Sequence, residues 1–204
     1  ITGEFLGDIS LDDIRHIIKN SIGEKNIKIY DDMIVEPVFG TSNLYIYGAG
    51  HLSQFVSKLA KMMDFYVVVM DDREGFANRE RFPEADEIIV DDFNNISLYN
   101  NGDENGYVVI LTRGHKHDAE VLKEVLKKEN RYVGMIGSKR KNKIIFDYLK
   151  ACGVGEDRLK AVHAPIGIDI CAKTPQEIAL SIVAELVKIR GGLSEENNKY
   201  ENGT

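Results

Sequence analysis

The order of apolar and polar segments predicts an α/β fold, a doubly wound and mostly parallel sheet with a small N-terminal extension. Short apolar runs rich in β-branched residues alternate with segments of helical period. Each of the four longest apolar runs leads directly into a polar loop: GAGH, DDR, TRGHKHD and GSKRK. This alternation is typical of βαβ units, whose strands run parallel and end at one edge of the sheet.

Residues 44–73 form the clearest unit of this kind. A predicted strand at 44–47 leads into the turn 48–51, and a second strand at 66–70 ends at Asp71. Between the strands, apolar side chains three and four positions apart give one helical face: Leu52, Phe55, Val56, Leu59, Ala60 and Met63. In such a unit the first glycine permits a tight turn, the second lets a phosphate approach the helix, and the acid binds a ribose. Gly48, Gly50 and Asp71 fit these roles and predict a Rossmann-like fold, with Ser53 at the third small position.

The segment before this unit has a different pattern. Ser10 is the expected N-cap of a short amphipathic helix, and two apolar runs around Asp31-Asp32 predict a hairpin. Pro37 and residues 40–43 mark the boundary between this segment and the unit that begins at residue 44. We therefore divide the chain into residues 1–40, a small extension or the remnant of a preceding domain; residues 41–193, the Rossmann-like domain; and residues 194–204, a polar tail.

Three further strands and three further helices complete the predicted domain. The strands are residues 88–90, 107–111 and 132–136, and residues 94–106 are a loop with at most one helical turn. Helices cover 119–126 and 144–149, the second ending near Gly153. Thr174, Pro175 and Glu177 form a capping box at the start of the last helix, which ends at Gly191-Gly192.

Composition limits the classes of function. Lys and Arg number 26 against 33 Asp and Glu, a net charge of -7, so the chain has no overall basic surface for nucleic acid or an anionic membrane. No apolar run approaches the ~20 residues of a membrane-spanning helix. Cys152 and Cys171 form no CxxC pair, which favours a cytoplasmic protein, and we expect both thiols to be buried. The chain has no GxSxG elbow and no phosphate-binding GxxxxGK[ST] loop.

The loops after the strands predict a ligand site, because ligands of open parallel sheets bind at the carboxyl ends of the strands. Ser138, Lys139 and Arg140 offer cations and N–H groups to an anion, or form a solvated basic turn. His115, His117 and Asp118 are candidate metal ligands, or the imidazoles hydrogen-bond a ligand or the backbone. Asp169 orients a ligand or only shapes its turn. The full candidate set is Gly48, Gly50, His51, Asp71, Asp72, Arg73, Thr112, Arg113, Gly114, His115, His117, Gly137, Ser138, Lys139, Arg140, Pro165, Gly167 and Asp169.

Five ordered motifs in residues 44–190 resemble one family. The motifs are GAGHLS, VVMDDREGFANRERFPEAD, ILTRGHKHDAEVL, YVGMIGSKRK and HAPIGIDICAKTPQEIALSIVAEL. Together they resemble the XdhC/CoxI family, accessory proteins for the maturation of xanthine dehydrogenase and related molybdenum hydroxylases. The resemblance implies a protein that binds molybdenum cofactor, protects it while a terminal sulfido ligand is installed, and delivers it to the apo-hydroxylase. A cysteine desulfurase and that hydroxylase are the implied partners, and a homo-oligomer is expected.

The resemblance also suggests roles for the loops. The turn 48–51 and the segment after Ser138 would hold phosphate, while Arg113, His115 and His117 would face the pterin or the metal. The family's usual N-terminal motif of a glycine-flanked cysteine is missing, so the chain is a C-terminal portion or a short branch. Cys171 stands where the family pattern has glycine, and its thiol could carry sulfur or bind metal. We expect a non-catalytic cofactor chaperone. One alternative is an NAD(P)-dependent oxidoreductase, for which NAD is favoured because Asp72 repels a 2′-phosphate. The other alternative is a nucleotide sensor.

Overall fold

The computed structural model describes residues 28–30, 33–35, 41–100 and 102–191, in two compact units, Ile1–Gly40 and Thr41–Thr204. In the first unit, β1 (Lys28–Tyr30) and β2 (Met33–Val35) pair antiparallel where the sequence predicts a hairpin. The helix predicted after Ser10, the turn Asp31-Asp32 and the polar tail lie outside the described residues.

The second unit contains five strands and five α-helices within the described ranges. Its strands are β3 (Asn43–Tyr47), β4 (Tyr66–Asp71), β5 (Glu87–Val90), β6 (Asp103–Ile110) and β7 (Asn130–Met135). Its helices are α1 (His51–Met62), α2 (His115–Val125), α3 (Lys139–Ala151), α4 (Glu156–Lys160) and α5 (Pro175–Arg190). A short 3-10 helix, Phe93–Leu98, follows β5.

All five strands are parallel, in the order β5-β4-β3-β6-β7. Counted along the chain this order is 3-2-1-4-5, the Rossmann arrangement, so the predicted fold class is confirmed. The strand order reverses at β3, whose neighbours are β4 and β6. A ligand of such a sheet binds beside this switch point, at the carboxyl ends of β3 and β6.

Each face of the sheet has its own buried core. Helices α1 and α5 cover the face that carries Leu44, Ile46, Val67, Val69, Tyr107 and Val109. Helices α2 and α3 and the 3-10 helix cover the opposite face, with Tyr47, Met70, Val108, Ile110, Val133 and Met135. The central strands are therefore apolar on both faces, which explains their continuous hydrophobic sequence.

The capping box at the start of α5 is confirmed. The Thr174 hydroxyl accepts a hydrogen bond from the Glu177 N–H at 3.3 Å, and the Glu177 carboxylate accepts one from the Thr174 N–H at 2.9 Å. The helix ends at Gly191, which keeps a right-handed conformation with φ of -64°. No helix in the described ranges has both the length and the apolar character needed to cross a bilayer.

Three features differ from the sequence predictions. β6 begins at Asp103, four residues before the predicted Tyr107, because an irregular pairing of Asp103 with Asn130 extends the ladder through a weak β-forming segment. The short helix α4 has no counterpart in the prediction. Both cysteines are exposed, so the prediction that they are buried was wrong: Cys152 caps the end of α3, and Cys171 lies in a polar turn.

Candidate functional site

The glycine turn between β3 and α1 is tightly held on one side and open on the other. Gly48 has φ of 102°, and a Cβ there would lie 2.5 Å from the Leu111 carbonyl oxygen, so only glycine fits. At Gly50, the N-cap of α1, a Cβ would meet nothing within 4 Å, and no side chain caps the helix. The start of α1 is therefore accessible to an anion, which its N–H groups and dipole favour.

Ser53 replaces the third small residue of the fingerprint without opening a gap. Its side chain is fully buried, and its hydroxyl donates a hydrogen bond to the Gly48 carbonyl oxygen at 2.5 Å. The serine thus joins the first turns of α1 to the glycine turn, and its polar group is satisfied.

Asp71, the acid predicted to bind a ribose, is buried and already hydrogen-bonded by the protein. Its Oδ2 accepts the Ala49 N–H at 2.8 Å and Arg73 Nη2 at 3.1 Å. Its Oδ1 accepts the Arg73 N–H at 3.1 Å and Arg73 Nε at 2.8 Å. Burial acts to raise the pKa of Asp71, but the bonds from Arg73 and Ala49 outweigh it and lower the pKa. Asp71 therefore fixes the glycine turn to the end of β4.

Asp72 and Arg113 form an ion pair across the switch point. Arg113 Nη1 lies 3.0 Å from Asp72 Oδ1, and Nη2 lies 2.8 Å from Oδ2. Asp72 follows β4 and Arg113 follows β6, while β3 lies between these strands. The pair therefore crosses the carboxyl end of β3, where the glycine turn begins. About two fifths of the Arg113 side chain is exposed, at 42%, so the side chain can be reached from solvent although both terminal nitrogens bind Asp72.

A buried carboxylate joins the loops after β6 and β7. Asp118 is fully buried; its Oδ1 accepts the Thr112 hydroxyl at 2.5 Å and its Oδ2 accepts Lys141 Nζ at 2.6 Å. Lys141 is thus paired, whereas Lys139 and Arg140 are exposed. Within the described residues, no three His, Cys, Asp or Glu side chains converge as metal ligands.

The ring of His117 lies between the ion pair and the 3-10 helix. Its Nε2 is 3.5 Å from Arg113 Nη2, and its centroid is 5.6 Å from that of Phe93. Its Nδ1 is 3.2 Å from a Glu120 carboxylate oxygen without hydrogen-bonding geometry. His117 therefore lies beside Arg113, while His51 is exposed at the start of α1.

The candidates from the last polar segment contact β7 and α5 instead of the glycine turn. Residues 162–166 lie along β7, with backbone hydrogen bonds between His163 and Met135 and between Ile166 and Met135. The Gly167 N–H donates to Glu185 at 2.7 Å. The Asp169 carboxylate accepts the Cys171 N–H at 3.1 Å, so in this structure it shapes its own turn. Pro165, Gly167 and Asp169 thus share no hydrogen-bond partner with the glycine turn or with the loops after β4 and β6.

Two residues that contact the candidate site are absent from the sequence-predicted set. Arg81 donates from Nη2 to the Ala49 carbonyl oxygen at 3.2 Å, which adds a third arginine beside the glycine turn. Arg73 stacks on Phe76, with its guanidinium carbon 3.6 Å from the ring centroid. The signal available in the sequence was the arginine-rich loop that directly follows β4, but its spacing did not show which arginine reaches the turn.

Glu185 is the second missed residue, and it connects three segments. Its carboxylate accepts the Tyr132 hydroxyl at 2.5 Å and the Gly167 N–H at 2.7 Å, and His163 Nδ1 lies 2.9 Å away. Burial acts to raise the pKa of Glu185, but these hydrogen bonds outweigh it and lower the pKa. Burial and the nearby Glu185 raise the pKa of Tyr132, which therefore stays neutral.

The model of the XdhC Rossmann domain matches residues 44–186. The chain belongs to the XdhC family. The resemblance in the sequence motifs is thus confirmed, and the matched region includes the glycine turn, the Asp72–Arg113 pair and Glu185.

Several relatives of this XdhC-family chain are longer than the chain itself. It is 30% identical over 155 residues to the uncharacterized protein YqeB of Escherichia coli, covering 74% of this chain and 28% of YqeB. It is 25% identical over 159 residues to a probable xanthine dehydrogenase subunit of Bacillus subtilis, covering 78% of this chain and 46% of that protein. The crystal structure of a xanthine dehydrogenase from Bacillus halodurans matches with 32% identity and a TM-score of 0.66, over 79% of this chain and 45% of the other. The chain thus spans between a quarter and a half of the length of these relatives.

Proposed function

We propose that this chain is an accessory protein that binds molybdenum cofactor and assists its sulfuration and insertion into a molybdenum hydroxylase of the xanthine dehydrogenase type. The observation that carries the proposal is the Arg113–Asp72 pair beside the open start of α1. Family membership links the chain to xanthine dehydrogenase maturation. The cofactor is the cargo in this proposal, and the chain itself performs no redox chemistry.

The residues at the carboxyl edge of the sheet fit the chemistry of molybdenum cofactor. Molybdenum cofactor is a pterin with a dithiolene and an anionic phosphate or dinucleotide tail. Gly50 leaves open space at the N-terminus of α1, where a phosphate would be favoured. Arg113 and His117 carry hydrogen-bonding groups for the pterin end. Ser138, which caps α3 through its hydroxyl, and the exposed Lys139 and Arg140 offer a second place for anionic groups.

The partners of the proposal follow from the cargo. A cofactor that receives a terminal sulfido ligand needs a sulfur donor, for which a cysteine desulfurase is the proposed partner. The recipient is the apo-hydroxylase, and the name of the Bacillus subtilis relative supports a client of the xanthine dehydrogenase type. A homo-oligomer remains a prediction, which sedimentation velocity of the purified chain would test.

Copurification tests this function directly. The chain is expressed in a bacterial host that makes molybdenum cofactor and in a matched strain that cannot, and each preparation is oxidised to convert the pterin to a fluorescent product. We expect fluorescent pterin only in the first preparation and a reduced amount with Arg113→Ala. Arg131→Ala is the matched control, because Arg131 is exposed near the start of β7, at the opposite end of the sheet. Equal fluorescence from both strains would refute the proposal.

A dinucleotide-binding function is the second candidate. The 3-2-1-4-5 strand order and an acid at the end of β4 favour it, since both are found in NAD-binding domains. Asp71 weighs against it, because each of its oxygens already accepts two hydrogen bonds from the protein. Calorimetry measures whether the chain binds NAD and NADH. Binding accompanied by NADH oxidation with an added electrophile supports an oxidoreductase, and binding without turnover supports a nucleotide sensor.

A further inference from the structure

A cavity lies along α3, away from the glycine turn. Its volume is about 390 Å³, within the range of small-molecule sites. The α3 residues that line it recur every three or four positions from Lys139 to Lys150, so they form one helical face. Since α3 begins at the carboxyl edge of the sheet and runs back along it, the cavity extends toward the opposite edge.

The cavity is positively charged although the chain as a whole is acidic. Four lysines line it, Lys139, Lys143, Lys150 and Lys160, against only two acids, Asp147 and Glu156. The chain carries a net charge of -7, so this concentration of lysines departs from its average. A positively charged concave surface raises the local concentration of anions.

The lysines fall into two pairs with different roles. Lys150 and Lys160 lie 3.3 and 3.6 Å from Glu156, so these ion pairs join α3 to α4. The side chains of Lys139 and Lys143 form no ion pair or hydrogen bond with any other described residue. They lie in the first turns of α3, where the helix dipole also favours an anion.

The other lining residues provide an apolar wall. Leu159 belongs to the buried core, Phe146 packs against that core half-buried, and Ala164 and Pro165 line the cavity beside them. An aromatic ring and a proline offer flat apolar surface to a planar ligand. One end of the cavity therefore suits an anion, and its wall suits a ring.

We propose that this cavity binds a small ligand made of a planar ring system and a phosphate group. Lys139 and Lys143 bind the phosphate, while Phe146, Leu159 and Pro165 contact the ring. Lys139 and Pro165 also belong to the candidate set predicted from the sequence, and Lys139 is shared with the anion-binding groups proposed above. The cavity proposed here continues from Lys139 along the outer side of α3 and uses neither the glycine turn nor Arg113. It stands whether or not the chain binds molybdenum cofactor.

Flavin mononucleotide and riboflavin are suitable probes, because they share one fluorescent ring system and differ only in the phosphate. Binding of each is followed by fluorescence anisotropy with the full chain. The test variant is Lys139→Gln/Lys143→Gln. The control is Lys58→Gln/Lys123→Gln, which removes the same charge from exposed positions on α1 and α2 outside the cavity.

We expect flavin mononucleotide to bind about tenfold more tightly than riboflavin, and the test variant to lose about tenfold in affinity for it, as removal of charge-assisted hydrogen bonds predicts. The control should stay within about twofold of the parent. The proposal is overturned by any of three results: no rise in anisotropy with flavin mononucleotide, equal affinity for the two flavins, or equal losses in the test and control variants.

Discussion

Arg113 and Asp72 are joined by two hydrogen bonds of 2.8 and 3.0 Å although their strands, β6 and β4, are not neighbours in the sheet. The pair crosses the end of β3, beside the accessible start of α1. A planar guanidinium suits bidentate binding of carboxylate or phosphate. Asp72 therefore occupies the face of Arg113 that suits such binding, and an anionic ligand would compete with Asp72 for it.

This arrangement predicts opposite effects of two substitutions on cofactor binding. Arg113→Ala removes a charged donor and should weaken binding by about 10 to 100-fold. Asp72→Asn removes a negative charge beside the anion and releases the guanidinium, so binding should strengthen about fivefold at low salt. Titrations at low and high salt measure both effects, which salt should diminish. Weaker binding by Asp72→Asn would mean that orientation of Arg113 matters more than the removed charge.

The two glycines of the turn should respond differently to alanine. Gly48→Ala places a Cβ 2.5 Å from the Leu111 carbonyl oxygen at a positive φ, so we expect a loss of more than about 2 kcal/mol in unfolding free energy. Gly50→Ala meets no atom within 4 Å and should cost about 1 kcal/mol or less, while its methyl group hinders an anion at α1. Urea unfolding and ligand titration measure the two effects. Unchanged binding by a folded Gly50→Ala protein would exclude this turn as the anion site.

Glu185 should be a stability determinant. Glu185→Gln removes the negative charge that strengthens all three contacts, and an amide that keeps its oxygen toward Tyr132 and Gly167 must turn its NH₂ group to His163 Nδ1. We therefore expect a loss of about 2 kcal/mol in unfolding free energy. Glu129→Gln is the matched control, because that side chain is 80% exposed and its pair with Arg158 should contribute less than about 1 kcal/mol. Urea unfolding of both variants provides the comparison, and equal losses would contradict the role of Glu185.

The buried carboxylates predict a loss of stability in acid. The pKa values of Asp71 and Glu185 are lower in the folded chain than their ordinary values, as hydrogen bonds outweigh burial. Such groups stabilise the fold above their unfolded pKa values, near pH 4, and this contribution disappears as the pH falls through the folded values. Unfolding free energy should therefore decrease below about pH 4, and less steeply in Asp71→Asn. An equal slope in parent and variant would show that Asp71 does not carry this dependence.

The sequence predicted the sheet because its signals are local. The apolar runs that became β3, β4 and β7 are continuous, and the capping box at Thr174 lies within four residues. The early start of β6 at Asp103 was missed because residues 103–106 are weak β formers, which extend the strand only through pairing with β7. The hairpin strands β1 and β2 occur at their predicted positions.

The site was predictable only to the level of its loops. Strand ends located Asp72 and Arg113 at one edge, but spacing along the chain cannot show that they pair, or that Lys141 reaches Asp118. Cys171 illustrates the same limit. Its φ of 57° agrees with the glycine that the family pattern has there, whereas the general tendency of cysteine to be buried led to the wrong prediction for its thiol.

Equilibrium titration of the purified chain with molybdenum cofactor, and in parallel with NAD and NADH, tests the central claim most directly. We expect tight binding of the cofactor, weak binding of both dinucleotides because Asp71 is already hydrogen-bonded, and loss of cofactor affinity in Arg113→Ala but not in Arg131→Ala. Tight dinucleotide binding together with no measurable binding of molybdenum cofactor would contradict the account and support a nucleotide-dependent function.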